Sequence, residues 1–255
     1  MPTRTYYDPL HHSITLDSSI PEERMVMELI DSSPFQRLRR IKQLGPAYLT
    51  FHGAESSRFT HSLGVFHLAR RAIKHLSNFD SGLKEHKFIL YGAALLHDIG
   101  HGPLSHTSEE IFKIKHETWS AKLITSSFEI TKILNKYGEE NAKAISNLIQ
   151  SRKAEKKLII SLISSQLDCD RLDYLMRDSY STGARYGQLD IERIISAMTI
   201  APDGDLAIHP KGLMAVEHYL VIRNLMYRSV YNHRLNEVCN WLLEQIIKTA
   251  RKLGP

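Results

Sequence analysis

Apolar residues recur at intervals of three to four along most of the chain, which is the spacing of amphipathic and buried helices. This spacing predicts helices over residues 21–31, 34–44, 60–78, 84–98, 116–137, 139–151, 156–178 and 190–197. A longer amphipathic pattern covers residues 211–252. The clearest strand signal lies at residues 198–209, where a Pro-Asp-Gly turn joins two short runs into a hairpin. We therefore predict an all-α fold with one small β-hairpin.

Size and composition favour one folded unit. The chain has 255 residues, of which 42% are hydrophobic, enough for one large core, and we predict a single domain over residues 1–255. Two cysteines imply no disulfide framework, so we expect a cytoplasmic protein. No apolar stretch approaches the length that spans a membrane, so we expect no membrane partner. Because no compact element follows the last helical pattern, we expect the chain to be a C-terminally truncated form of a longer one.

Polar residues directly follow the most apolar predicted helix. The run over residues 88–96 ends in His97 and Asp98, where an uncompensated buried carboxylate would be costly. A bound cation would remove that cost, but two adjacent residues cannot complete a metal shell. His61 and Asp170 are available on other predicted helices. Two imidazoles and two carboxylates favour manganese, iron or zinc, with positions left for water and a phosphate oxygen.

Five sequence segments occur in the order found in HD-domain phosphohydrolases. They are RRIKQLG (39–45), SRFTHSLGV (57–65), LLHDIGHGPLSH (95–106), KHE (115–117) and DCDRLDYLMRD (168–178). Within that family, the chain most resembles the deoxynucleoside triphosphate triphosphohydrolases, which include the sterile-alpha-motif-linked enzyme. The resemblance spans residues 4–234 and implies the helical HD fold. It also implies hydrolysis of a deoxynucleoside triphosphate (dNTP) to a deoxynucleoside and inorganic triphosphate.

The resemblance implies roles for the histidines and acids of these segments. It assigns metal ligation to the same four residues that the chemistry suggests, with magnesium as a further ion that can accompany the substrate. Three more histidines are implied beside the phosphates: His101, His106 and His116. Of these, His106 is our candidate for the acid that protonates the departing 5′ oxygen, and the other two would neutralise charge. The alternative is that His101 and His106 only hydrogen-bond the end of the broken helix.

A substrate pocket is implied by further motif positions. They are Gln43, Leu44, Arg58, Arg171, Tyr174, Asp178 and Tyr231. The two arginines are expected to neutralise the triphosphate, although Arg171 replaces a lysine of the relatives it resembles. Gln43 and Asp178 can hold a 3′ hydroxyl, and Tyr174 would crowd a ribose 2′ hydroxyl. Tyr174 and Tyr231 also fit helical core positions, so the alternative interpretation is that they only pack in the core.

A regulatory site is implied by the segment LIDSSPFQRLRR (29–40), which resembles the part of the vertebrate enzyme that recognises an activating guanine nucleotide. The matching positions are Asp31, Gln36 and Arg39. The Asp31 carboxylate can accept hydrogen bonds from guanine N1 and N2, and Arg39 can contact the base. The alternative is an amphipathic helix with a solvated charged face. The resemblance also implies a homo-oligomer, either a dimer or a tetramer.

Two other function classes stay open. One is an HD-domain nuclease or phosphodiesterase acting on nucleic acid or signalling nucleotides, which the net charge of +5 would suit. The sequence has no Gly-Tyr-Pro signature of cyclic-dinucleotide enzymes and no basic stripe interleaved with aromatic residues, so nucleic acid is the less favoured partner. The other is a silent nucleotide sensor, which predicts a damaged metal set. All four ligand residues are present, and this favours hydrolysis.

Overall fold

A computed structural model describes residues 3–254, which form thirteen α-helices and two antiparallel hairpins. The helices are α1 (Pro21–Asp31), α2 (Ser33–Gln36), α3 (Arg58–Leu76), α4 (Lys87–Leu96), α5 (His106–Phe112), α6 (His116–Ser126), α7 (Phe128–Lys136), α8 (Asn141–Ser151), α9 (Lys157–Ile163), α10 (Cys169–Thr182), α11 (Ile191–Ala197), α12 (Leu213–Met226) and α13 (Arg234–Leu253). The strands are β1 (Thr3–Asp8), β2 (His12–Asp17), β3 (Met198–Ile200) and β4 (Leu206–Ile208). The predicted helical fold and the predicted hairpin of β3 and β4 are both confirmed.

Three predicted helices are interrupted. The pattern over 116–137 divides into α6 and α7 at Ser127, whose backbone is extended. The pattern over 156–178 divides into α9 and α10, because Asp168 caps α10 by accepting a hydrogen bond from the backbone N–H of Arg171 at 2.8 Å. The pattern over 34–44 forms only α2 and a 3₁₀ turn at Arg37–Arg40. Apolar spacing continued across each interruption, so it did not reveal them.

The N-terminal hairpin of β1 and β2 is absent from the sequence prediction. Its strands pair from Thr3 with Asp17 to Asp8 with His12. Asp8 Oδ1 closes the turn by accepting hydrogen bonds from the backbone N–H groups of Leu10 and His11, at 2.9 and 3.0 Å. The turn contains the Asp8-Pro9 pair, which favours a turn, but it has no glycine and so lacks the strongest short sequence signal for a hairpin.

The core lies around α3, α4 and α10. Helix α4 is buried from Leu90 to Leu96, as predicted, and packs against α1, α3 and α8. Helix α3 also packs against α10. The C-terminal end of α4 and the N-terminal turns of α3 and α10 carry the motif residues, so the core places three helix ends at one site.

The C-terminal region is one predicted pattern but two helices. A π-helix at Tyr227–Tyr231 separates α12 from α13, and Asn232 N donates to Tyr227 O at 2.9 Å. Both helices leave large apolar side chains exposed, among them Val221 and Trp241. Within residues 3–254, no helix combines the length and the apolar content that crossing a bilayer requires.

Candidate active site

The structure brings the four predicted metal ligands together. His61 lies in the first turn of α3, His97 and Asp98 follow α4, and Asp170 lies in the first turn of α10. His61 Nε2 is 3.0 Å from Asp170 Oδ1, 3.3 Å from His97 Nε2 and 3.6 Å from Asp98 Oδ2. His97 Nε2 is 3.5 Å from Asp98 Oδ1. The ligand atoms of His61, His97 and Asp170 lie within 4.8 Å of one another, and the Asp98 carboxylate lies beside both imidazoles.

Hydrogen bonds leave the same nitrogen of both imidazoles available to a ligand. His61 Nδ1 lies 2.8 Å from Asp173 Oδ2, and His97 Nδ1 lies 3.0 Å from the carbonyl oxygen of Ala94. Both oxygens are acceptors, so both Nδ1 atoms donate. The two Nε2 atoms therefore point at each other and at two carboxylates. This donor set fits a divalent manganese, iron or zinc ion.

The electrostatics of His61 agree with a cation site. Burial lowers the pKa of His61, but the carboxylates of Asp170, Asp173 and Asp98 outweigh burial and raise it to about 10. Without a cation, the negative surroundings therefore hold a proton on His61 at neutral pH. A cation would displace that proton, because both bind through the same ring nitrogen.

The three other predicted histidines surround Glu109, which the sequence analysis did not single out. Glu109 Oε1 lies 2.9 Å from His106 Nδ1 and 2.8 Å from His116 Nδ1. His101 stacks on His116 with ring centroids 3.9 Å apart. Its Nε2 lies 3.3 Å from Asp98 Oδ1. The Glu109 cluster (His101, His106, Glu109 and His116) therefore adjoins the candidate metal centre, which is the set of four predicted ligands. Glu109 stands three residues after His106 on α5, and this spacing is the signal that could have found it.

Glu109 is ionised in this setting. Partial burial raises its pKa, but the hydrogen bonds from His106 and His116 outweigh burial and hold the pKa well below its ordinary value. The ligand atoms of these side chains and of His101 all lie within 4.8 Å of one another, so the cluster also has the composition of a cation site. The hydrogen bonds to Glu109 account for the position of two of the three rings without an ion.

The loop before His106 has an unusual backbone. Leu104 and Ser105 both have left-handed φ angles, of 71° and 51°, which non-glycine residues rarely adopt and which cost roughly 1–3 kcal/mol each. Side-chain contacts hold the loop in place. Ser105 Oγ donates to the carbonyl oxygen of Lys42 at 2.7 Å and accepts from Arg58 Nε at 2.9 Å. Arg58 is buried and also forms an ion pair with Asp98, so its charge is already engaged.

A cavity of about 510 Å³ adjoins both clusters. All seven predicted substrate residues line it, together with Asp98, His106, His116 and Asp170. Within it, Tyr231 donates a hydrogen bond to Asp178 Oδ2 at 2.9 Å, and burial raises the pKa of Asp178 to about 7. Residues that the sequence analysis missed line the C-terminal side of the cavity: Tyr227, Asn232, Asn236, Glu237 and Asn240. A cavity of this size can hold a small-molecule ligand.

The predicted activator residues lie outside this cavity. Asp31 forms an ion pair with Arg4 at 2.7 Å. Arg39 Nε donates to Gln36 Oε1 at 2.7 Å, and its guanidinium lies 3.6 Å from the ring centroid of Phe59.

Arg37, in the same segment, reaches the loop that carries His101. It donates to the carbonyl oxygens of His101 and Ile99 at 2.8 and 2.6 Å. The segment of the predicted activator residues and the loop of the histidines are therefore directly connected.

Comparison with known proteins locates two family regions in the chain. The family model described as HD domain matches residues 58–200, and a second model, described as HD associated region, matches residues 189–253. These matches include the four candidate metal ligands and all residues of the Glu109 cluster.

Two relatives and one solved structure each match 88% or more of this chain. The uncharacterized protein YwfO of Bacillus subtilis is 39% identical over 98% of this chain and 56% of its own length. A deoxynucleoside triphosphate triphosphohydrolase SAMHD1 homolog of Dictyostelium discoideum is 31% identical over 88% of this chain and 46% of its own length. The crystal structure of a phosphohydrolase from Bacteroides thetaiotaomicron superimposes with a TM-score of 0.79 at 34% identity, over 95% of this chain and 57% of that one. The chain thus spans about half the length of the relatives it matches.

Proposed function

The chain belongs to the HD domain family of metal-dependent phosphohydrolases, and we propose that its substrate is a dNTP, which it cleaves to a deoxynucleoside and inorganic triphosphate. The observation that carries the proposal is the shared cavity. One cavity is lined by metal-centre carboxylates, by two histidines of the Glu109 cluster and by the tyrosine and carboxylate side chains that suit a nucleoside. The Dictyostelium relative is named as a deoxynucleoside triphosphate triphosphohydrolase, which supports the choice of substrate.

The metal centre would hold the divalent ion through His61, His97, Asp98 and Asp170. When bound, the ion would supply Lewis-acid chemistry to the phosphates. Manganese, iron and zinc all suit this donor set, and magnesium would accompany the triphosphate.

His106 would act as the general acid. Its Nδ1 is held by Glu109 at 2.9 Å, so the free Nε2 can donate a proton to the departing 5′ oxygen. Its side chain is 66% exposed at the cavity, whereas His101 is fully buried, so His106 is the better placed of the two to meet a substrate. His116, whose pKa is raised in spite of burial by its hydrogen bond to Glu109 and by nearby carboxylates, would neutralise phosphate charge beside it. Burial and the nearby Arg58 lower the pKa of His101 well below its ordinary value, so His101 would support His116 by stacking on it.

The nucleoside would occupy the part of the cavity that Tyr174 and Tyr231 line. Their rings lie 5.9 Å apart, and Tyr231 is tied to Asp178. Gln43 and Asp178 would hold the 3′ hydroxyl, and Tyr174 would exclude a 2′ hydroxyl. The same cavity would therefore select deoxynucleotides.

Regulation by a guanine nucleotide at Asp31, Gln36 and Arg39 forms part of the proposal. Arg37 supports it, because this residue of the same segment hydrogen-bonds the backbone of His101. Assembly into a homo-oligomer is supported by the apolar side chains that α12 and α13 expose. A cytoplasmic location is part of the proposal, and it is supported by a cysteine content that implies no disulfide framework.

The deciding experiment identifies the products. The protein is incubated with each dNTP, with GTP and ATP, and with a single-stranded oligonucleotide, all in the presence of Mn²⁺, and anion exchange separates the products. We expect free triphosphate and deoxynucleoside from dNTPs, and dGTP and GTP added as second nucleotides test activation. Release of pyrophosphate or single phosphates would contradict the proposal. Cleavage of the oligonucleotide alone would favour a nuclease, and binding without turnover would favour a silent sensor.

A further inference from the structure

The turn of the N-terminal hairpin reaches the back of the metal centre. His11, which follows β1, has a side chain that is only 4% exposed. Its Nε2 lies 2.6 Å from Asp173 Oδ1, and the other oxygen of Asp173 accepts from His61 Nδ1 at 2.8 Å. One carboxylate on α10 thus joins the hairpin to a candidate metal ligand on α3.

Arg177 fixes the same carboxylate from the other side. Its Nε donates to Asp173 Oδ2 at 2.8 Å and its Nη2 to Asp173 Oδ1 at 2.9 Å. Its Nη1 donates to Asp8 Oδ2 at 2.9 Å. The other oxygen of Asp8 closes the hairpin turn, so Asp8 both shapes the turn and holds Arg177. Asp8, Asp173 and Arg177 are all buried, where removing one partner would leave an unpaired charge.

The approach of α3 to this network depends on a glycine. A Cβ atom at Gly64 would lie 1.9 Å from Asp173 Oδ1 and 2.7 Å from Arg177 Nη2. No side chain fits there, so the helix backbone passes directly over the carboxylate. Asp173 is therefore confined on every side by the hairpin, by Arg177 and by α3.

We propose that the hairpin of β1 and β2 is a positioning element of the metal centre: His11 and Asp8 hold Asp173 in the orientation that aims His61 Nε2 at the ion. Without His11, Oδ1 of Asp173 keeps only the hydrogen bond from Arg177, so the carboxylate is held less firmly in the orientation that faces His61. Partners that orient a metal-ligating histidine in this way typically contribute about 10- to 100-fold to metal affinity. The inference rests on the metal centre of the proposed function and is independent of the substrate.

The test measures binding of Mn²⁺ alone, by calorimetry, to the metal-free protein. His11→Leu is expected to weaken Mn²⁺ binding about 10- to 100-fold. His11→Gln keeps an N–H donor and is expected to restore most of the affinity, which a merely space-filling role of His11 would not predict. His12→Asn is the matched control, because His12 is the exposed next residue and asparagine tolerates its left-handed φ of 57°. The control should bind Mn²⁺ as the wild type does.

The outcomes separate this inference from the proposed function. If the wild type binds no Mn²⁺, zinc or iron, the metal centre itself is wrong. If the wild type binds Mn²⁺ and His11→Leu binds it equally well, the hairpin has no positioning role.

Thermal unfolding of the metal-free proteins shows whether His11→Leu is folded. If it is not, Asp8→Asn serves instead, because it keeps an acceptor for the turn while weakening the contact to Arg177. A several-fold loss of Mn²⁺ affinity is then expected, and unchanged affinity would overturn the inference.

Discussion

The metal centre and the Glu109 cluster differ in how firmly the fold holds them. The candidate ligands extend from the ends of three core helices, and His61 is further fixed through Asp173. The Glu109 cluster is built on a loop with two left-handed residues and on α5, which has seven residues, and His106 is mostly exposed. Under the proposed function, the residues that would hold an ion at fixed distances are embedded in the core. His106, which would meet the substrate, lies at the edge of the core.

The largest effect is expected from removing a metal ligand. His97→Ala and Asp170→Ala each delete one of four converging donors, so we expect loss of both the bound ion and the dNTP hydrolysis, to below detection. Metal analysis of the purified protein and triphosphate release measure the two. His218→Ala, at an exposed position of α12, should change neither. If either ligand variant kept full metal content and the full rate of triphosphate release, the four residues would not be metal ligands. The contrast between the metal centre and the Glu109 cluster would then be wrong.

The next largest effect is expected from removing the proposed general acid. His106→Ala should lower turnover by about 100- to 10,000-fold and leave Mn²⁺ content intact, because the departing oxygen needs a proton that ion binding does not. Metal content and single-turnover rates are compared with those of His101→Ala. If only His101→Ala is slow, the acid is His101. Loss of metal in His106→Ala would instead indicate that the Glu109 cluster binds an ion.

Glu109→Gln should have a smaller effect of the same kind. The amide removes the charge that His106 and His116 face, and a hydrogen bond to a charged group contributes about 1.5–3 kcal/mol. Turnover should therefore fall about 10- to 100-fold with unchanged metal content. Glu85→Gln, at an exposed position outside the cavity, is the control. Equal rates for the two variants would mean that Glu109 does not orient the acid.

The smallest effect is expected in substrate selection. Tyr174→Ala opens space beside the sugar, so the rate of GTP hydrolysis relative to dGTP should rise about tenfold, a change typical of pocket-shape discrimination. Competition between the two nucleotides measures this ratio. Tyr180→Ala, at an exposed position on the same helix, should leave the ratio unchanged. A ratio that stays constant in Tyr174→Ala would assign the tyrosine to packing alone.

The same contrast explains what the sequence could predict. Apolar spacing predicts the helices of the core. The ordered motifs predict that four side chains come together: His61, His97, Asp98 and Asp170. Glu109 was missed because α5 has too short a pattern to be predicted. The contact of His11 with Asp173 joins residues 162 positions apart, and no local pattern specifies such a partner. The sequence identifies residues able to do chemistry, while their partners depend on packing that only the structure shows.

The π-helix at Tyr227–Tyr231 makes the cavity depend on the number of residues as well as on their identity. Its hydrogen bond from Asn232 to Tyr227 spans one residue more than an α-helical bond does. Deleting one residue within this turn would restore regular α-helical spacing and would rotate the turn's remaining residues, up to the break at Asn232 and the extended His233, by about 100°. Tyr231 would then leave Asp178, although no side chain in the cavity wall had been replaced. A single gap in an alignment at this point would therefore mark a protein with a different pocket.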